Sequence, residues 1–174
     1  MIFYLLTLAL SSKKTALCAI FCSLIHEMGH YFSAGVMGVK VKAFILYPFG
    51  AEMRLSELRS YKCDIAIALF GPAVNIAAAV VGYFLQLGGF FIAYNLTLAV
   101  LNLLPINHLD GGTVLSSLLM LFFTPKDAEK VVNIVSFFVL IALWMLSVYI
   151  FMMEGGSPSL FFISVTLFAS TFLR

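Results

Sequence analysis

Charge is scarce in this chain. Only 10% of its 174 residues are Asp, Glu, Lys or Arg, against 63% hydrophobic, and the mean hydropathy is +1.09. A soluble domain carries roughly 25% charged residues. So little polar surface cannot coat a water-soluble globule, which leaves the integral membrane class. The net charge of +2 lacks the basic excess of a nucleic-acid binder, so no nucleic-acid partner is expected. Cysteine is scarce too. Cys18, Cys22 and Cys63 are an odd number set in apolar or membrane-edge sequence, which excludes a disulfide framework. The N-terminus has neither a basic stretch before its first apolar run nor a small-residue cleavage site, so that run reads as a retained membrane segment rather than a secretory signal. Repeats and low-complexity tracts are missing. Nothing resembles a second, soluble domain, so residues 1–174 read as one polytopic unit.

Long apolar runs dominate instead. Six segments stand between polar breaks: Ile2–Leu10, Thr15–Val36, Asp64–Leu87, Phe90–Phe123, Val131–Met153 and Ser159–Leu173. A helix needs about 20 residues to cross the ~30 Å hydrocarbon core. The second, third and fifth fit. The first and last are short. The fourth is too long for one simple span, and it contains Pro105 and the polar run from Asn107 to Gly112. Non-helical backbone at membrane depth is tolerated only where protein buries it or it lines a wet cavity, so a broken helix facing a site is expected. The expected fold is an all-α integral membrane protein of about six transmembrane segments.

Loop charges set the orientation. With six crossings, the loop holding Lys40, Lys42, Arg54, Arg59 and Lys62 shares a side with Lys126, Lys130 and Arg174, against Lys13 and Lys14 opposite. The reading is a multi-pass cell-membrane protein with both termini cytoplasmic. Residues 38–55 break the helical pattern. "VKVKAF" and "AEMRL" alternate around a turn-like "YPFG", which predicts a short β-hairpin at the cytoplasmic membrane surface.

Against this background "LIHEMGHY" at 24–31 is conspicuous. His26, Glu27 and His30 form H-E-x-x-H. On a helix, positions i and i+4 share a face, so both imidazoles can reach one metal ion while Glu27 addresses a metal-bound water. Zn2+ suits imidazole ligands and needs no redox partner. Ionisable groups inside a membrane helix are costly and mark function. A catalytic zinc needs a third protein ligand and an open position. Asp64 and Glu154 lie at segment ends, and Glu52 and Glu57 in the surface loop; Asp110, inside the broken segment and followed by Gly111-Gly112, is the expected ligand. Asp110 could also cap a helix starting at Gly111, and the two roles are compatible. His108 is read as an outer-shell group or cavity-wall residue rather than a substitute ligand. Cys18 and Cys22 share the His26 stripe, but buried cysteine packs as a small hydrophobe. Asn75, after Gly71-Pro72, and Asn102, before Pro105, sit at membrane depth. Each could hold substrate or an oxyanion, or tie helices together.

HEMGH, then FGPAVN, then NLLPINHLDGG, in that order on three apolar segments, resembles the site-2 protease family of intramembrane zinc metalloproteases. "LYPFGAE" and "YNLTLAVLNLLPINHLDGG" look closest to its sporulation branch, the stage IV sporulation protein FB type. The resemblance spans about Thr15 to Phe123 and implies a three-helix catalytic core there. It implies zinc on His26, His30 and Asp110, and Glu27 as catalytic acid/base. Asn75 would position substrate or stabilise the oxyanion, and Asn102 and Pro105 match an N-x-x-P element beside the ligand aspartate. It also implies a membrane-embedded or membrane-tethered protein substrate, in that branch a pro-sigma factor, and inhibitory membrane partners. Two features depart from the branch: His108 stands where a proline is common, and the sequence stops at Arg174 without reaching the C-terminal CBS domain that branch members often carry. A zinc transporter using the same His/Glu/Asp cluster is the alternative; the lack of a His-rich loop speaks against it.

Overall fold

The computed structural model describes residues 13–47, 50–55 and 60–154. Among them the chain forms α1 (Lys13–Val36), β1 (Val41–Tyr47), β2 (Gly50–Leu55), α2 (Tyr61–Phe84), α3 (Gly89–Asn102), α4 (Asp110–Leu119) and α5 (Pro125–Glu154). The expected segments Ile2–Leu10 and Ser159–Leu173 lie outside the described residues, as do Glu57, Arg59 and the Pro48-Phe49 turn.

The helices wear their surfaces inverted. α1 buries Ala16, Ala19, Cys22, His26, Ser33 and Ala34 along one stripe and exposes Leu17, Phe21, Leu24, Met28 and Phe32. α2 buries Gly71, Pro72, Asn75, Ala79 and Gly82 and exposes Leu69, Phe70, Ile76 and Val80. α5 buries Ala128, Val132, Ser136 and Ser147 while Phe138, Trp144 and Met145 face outward. Helices in lipid gain nothing by hiding leucine from hydrocarbon. Small residues bring their backbones together, and polar side chains bond across the gap. A water-soluble protein would not present this much contiguous apolar surface. Two helices, Tyr61–Phe84 and the Pro125–Ile150 part of α5, are long and apolar enough to cross a membrane. α1 has 24 residues, about 36 Å of helix, diluted by its polar site residues. The protein is therefore membrane-embedded.

α2 is the hub, with α1, α3 and α4 all packed against it, while α5 packs on α4. α1 stops in a Schellman turn. Gly38 takes φ +68°, Gly38 N–H donates to Gly35 O and Val39 N–H to Ala34 O. Glycine serves there because the left-handed region has no Cβ penalty for it. Ala34 and Val39 then close a small buried cluster with Ile67 of α2. β1 and β2 pair antiparallel, with Phe44 opposite Met53 and Ile45 opposite Glu52, and the register slips between Val41 and Ala43.

The long fourth segment is broken, as its composition requires. α3 ends at Asn102, residues 103–109 leave the helix around Pro105, and α4 restarts at Asp110. That link is pinned by α5. Asn107 N–H donates to Ser136 Oγ at 2.9 Å, Ser136 Oγ–H reaches Pro105 O at 3.4 Å, and Asn107 Nδ2 donates to Asn133 Oδ1. A methyl at Gly111 would collide with Leu103 O and Leu104 O, so glycine there lets the first turn of α4 lie on the link and fixes where Asp110 starts.

Candidate metal centre

His26 and His30 stand one turn apart on the buried face of α1, both under 10% exposed. Their outer nitrogens are already committed. His26 Nδ1 lies 2.5 Å from Asn75 Oδ1, and the Asn75 amide nitrogen is engaged elsewhere, donating to Asn95 Oδ1 at 2.7 Å and to Cys22 O at 3.3 Å. An amide oxygen only accepts, so His26 Nδ1 carries the proton. His30 Nδ1 faces Ile67 O at 2.8 Å, and the same logic applies. Both Nε2 atoms are therefore bare lone pairs in the neutral rings, and they face each other at 3.1 Å.

Asp110 closes the set from the first turn of α4. Its Oδ2 is 3.1 Å from His26 Nε2 and its Oδ1 3.3 Å from His30 Nε2. Leu109, not Asp110, occupies the N-cap position of α4, so the capping role does not apply. Oδ2 is buried and accepts no hydrogen bond. Two lone pairs and a carboxylate converging on one point repel unless a cation sits between them. A tetrahedral zinc with ligands at about 2.0–2.1 Å spaces its ligand atoms roughly 3.3 Å apart. The observed separations are close to this, with Asp110 turning one oxygen to each imidazole, and the three residues can each offer one ligand atom within 4.8 Å of the others. The site fits a divalent metal.

The FGPAVN element of α2 builds the back of this site. A methyl on Gly71 would collide with Cε1 and Nε2 of His30 and meet His26 Cε1 at 3.0 Å. Pro72 lies inside α2. It has no N–H for the Ala68 carbonyl four residues back. The neighbouring Ile67 carbonyl accepts from His30 Nδ1. Asn75 is fully buried and bonded at both ends of its amide, so it ties α1, α2 and α3 together. Its amide thus makes the interhelical hydrogen bonds expected of a polar group at membrane depth.

Residues 14–91 and 84–143 match the model of peptidase family M50. The chain belongs to that family. It is 33% identical over 112 residues to stage IV sporulation protein FB of Bacillus subtilis, covering 59% of this chain and 39% of that protein. It is 29% identical over 106 residues to a zinc metalloprotease of Methanocaldococcus jannaschii, covering 55% of this chain and 31% of the relative. The chain thus matches about a third of the length of these relatives. Its fold matches the site-2 protease of M. jannaschii with a TM-score of 0.69 at 20% identity, over 87% of this chain and 73% of that one.

Within this M50 site Glu27 is half-buried and within electrostatic reach of His26, His30 and Asp110. Two expected site residues are not brought into the cluster. Asn102 donates to Leu98 O at 3.0 Å within its own helix. His108 is exposed, with φ +71°. It lines a cavity of about 560 Å³ with Tyr61, Asp64, Asn107 and Thr113; Gly112, also in its wall, is two residues from Asp110. Cys22 is no ligand here, since its Sγ accepts Asn95 Nδ2 at 3.1 Å. Asn95 and Ser136 escaped the sequence reading. A fully buried Asn on an apolar helix was the available signal for Asn95, because polar groups at membrane depth demand partners.

Proposed function

We propose that this chain is an intramembrane zinc metalloprotease that hydrolyses a peptide bond in a membrane-embedded or membrane-tethered protein. The carrying observation is the convergence of the two imidazole Nε2 atoms and the Asp110 carboxylate inside a bundle whose outer surface is apolar. His26, His30 and Asp110 hold zinc. When bound, zinc supplies a Lewis acid that polarises the scissile carbonyl and acidifies water. Glu27 takes the proton of the attacking water and delivers it to the leaving amine.

Peptide hydrolysis needs water. The polar cavity beside α4 is the supply, opening to the cytoplasmic side that the basic loops mark, where both termini are placed. A helical substrate hides its peptide bonds and must first be extended. Among the described residues β1 and β2 form a two-stranded sheet with free outer edges. Such an edge at the membrane surface can pair with an extended substrate. The likeness to stage IV sporulation protein FB favours a pro-sigma factor as substrate, with inhibitory membrane proteins as further partners.

The test is co-expression with tethered pro-sigma-type precursors. Wild type should release the soluble product. Glu27→Gln should bind zinc normally and lose cleavage by about 10²-fold or more. Undiminished cleavage by that variant would sink the assignment. Zinc flux in proteoliposomes, with no proteolysis, would favour the transporter reading.

A further inference from the structure

Behind the metal ligands lies a buried polar chain that the proposed chemistry does not use. Asn95 on α3 is fully buried. Its Nδ2 donates to Phe91 O at 2.9 Å and to Cys22 Sγ at 3.1 Å. Those two acceptors fix the rotation of its amide, which leaves Oδ1 pointing at Asn75. Asn75 Nδ2 donates to that oxygen at 2.7 Å, so Asn75 turns its own Oδ1 toward His26 Nδ1.

The orientation matters because an asparagine amide is nearly symmetric in shape and opposite in polarity at its two ends. A flipped Asn75 would present Nδ2–H to His26 Nδ1. That nitrogen would become the acceptor, the ring proton would move to Nε2, and the lone pair aimed at His30 and Asp110 would be lost. Cys22 O also accepts from Asn75 Nδ2, but at 3.3 Å, the longer and weaker of the two contacts. We infer that Asn95 is a positioning residue that sets the amide orientation of Asn75, and through it the ring tautomer that makes His26 a metal ligand. Asn95 hydrogen-bonds Asn75, Cys22 and Phe91 and none of the three metal ligands. It acts from a third helix, two hydrogen bonds away. Outer partners of ligating histidines fix tautomer and orientation in this way. The inference rests on the metal-site reading above, but not on proteolysis.

The experiment reads zinc affinity of the purified full chain in detergent, by competition with a chromogenic chelator. Asn95→Leu keeps the branched heavy-atom skeleton, with two bulkier methyl groups, and removes the acceptor. It should weaken zinc binding about 10–100-fold. Adding Asn75→Asp should restore part of that loss, because a carboxylate presents an acceptor to His26 in either rotation, while its other oxygen loses the Cys22 O contact. A packing role for Asn95 would not be rescued by a change at position 75. Unchanged affinity in Asn95→Leu, or no rescue by the second substitution, overturns the inference. The wild type gives a measurement that no folding defect obscures. Ring-nitrogen NMR of histidine-labelled, metal-free protein should show His26 as the Nδ1–H form, and an Nε2–H form overturns it. If wild type binds zinc and obeys these outcomes yet cleaves no tethered precursor, the protease proposal fails while this one stands.

Discussion

Asn75 Oδ1 lies 2.5 Å from His26 Nδ1, across 49 residues of sequence and the interface between α1 and α2. The contact joins the two motifs that the sequence holds apart, HEMGH and FGPAVN. It makes α2 a scaffold for the metal ligands on α1, and it directs mutational tests to the back of the site as well as its mouth.

Gly71 is the tightest point of that scaffold. Gly71→Ala would place a methyl against the His30 imidazole. The ring must move or the helices must part, and overpacking of this kind costs about 1–3 kcal/mol. The expected outcome is a stably inserted protein that purifies with far less than one zinc per chain, read by metal analysis. Full occupancy would show that the helices separate without disturbing the ligands.

Asp110 supplies the only carboxylate among the three residues of the cluster. Asp110→Ala should weaken zinc binding by more than the roughly 10–100-fold that an outer partner is worth, and should abolish cleavage with it. Retained zinc in that variant would mean that another group, His108 or a cysteine, completes the site.

His108 holds φ +71°, a region costly for a residue with a side chain. His108→Gly should leave zinc binding intact and leave stability unchanged or raise it by up to ~1 kcal/mol. His108→Pro forces φ to the opposite side, near −65°, and should lower the thermal midpoint and metal occupancy together. A proline variant that behaves like wild type would show that the link can refold around it.

Ser136 holds the link from α5. Removing its hydroxyl leaves the Asn107 N–H without that acceptor, and an unsatisfied buried donor costs about 1–3 kcal/mol. Ser136→Ala should lower the unfolding midpoint in detergent, measured by thermal fluorescence. No shift would mean that Asn107 finds a substitute partner.

The membrane class, the broken fourth segment and the clustering of His26, His30 and Asp110 were readable in the sequence, because each rests on a local or compositional rule. Scarcity of charge excludes a soluble coat. H-E-x-x-H declares its geometry through the helical period alone, and Asp110 stood out as the carboxylate inside the broken segment. Asn75 was visible as a buried polar group, but its target was not. His108 lines a cavity wall, one of the two places its position suggested, whereas the partners of Asn95 were not legible and Asn102 turned to its own helix. Those outcomes depend on how far each helix is rotated and how deeply it is seated against α2. The sequence determined which side chains would need partners at membrane depth. Only the packing of α1, α2 and α3 decided which partner each one met, because a hydrogen bond between helices is set by relative rotation and depth, which no local periodicity encodes.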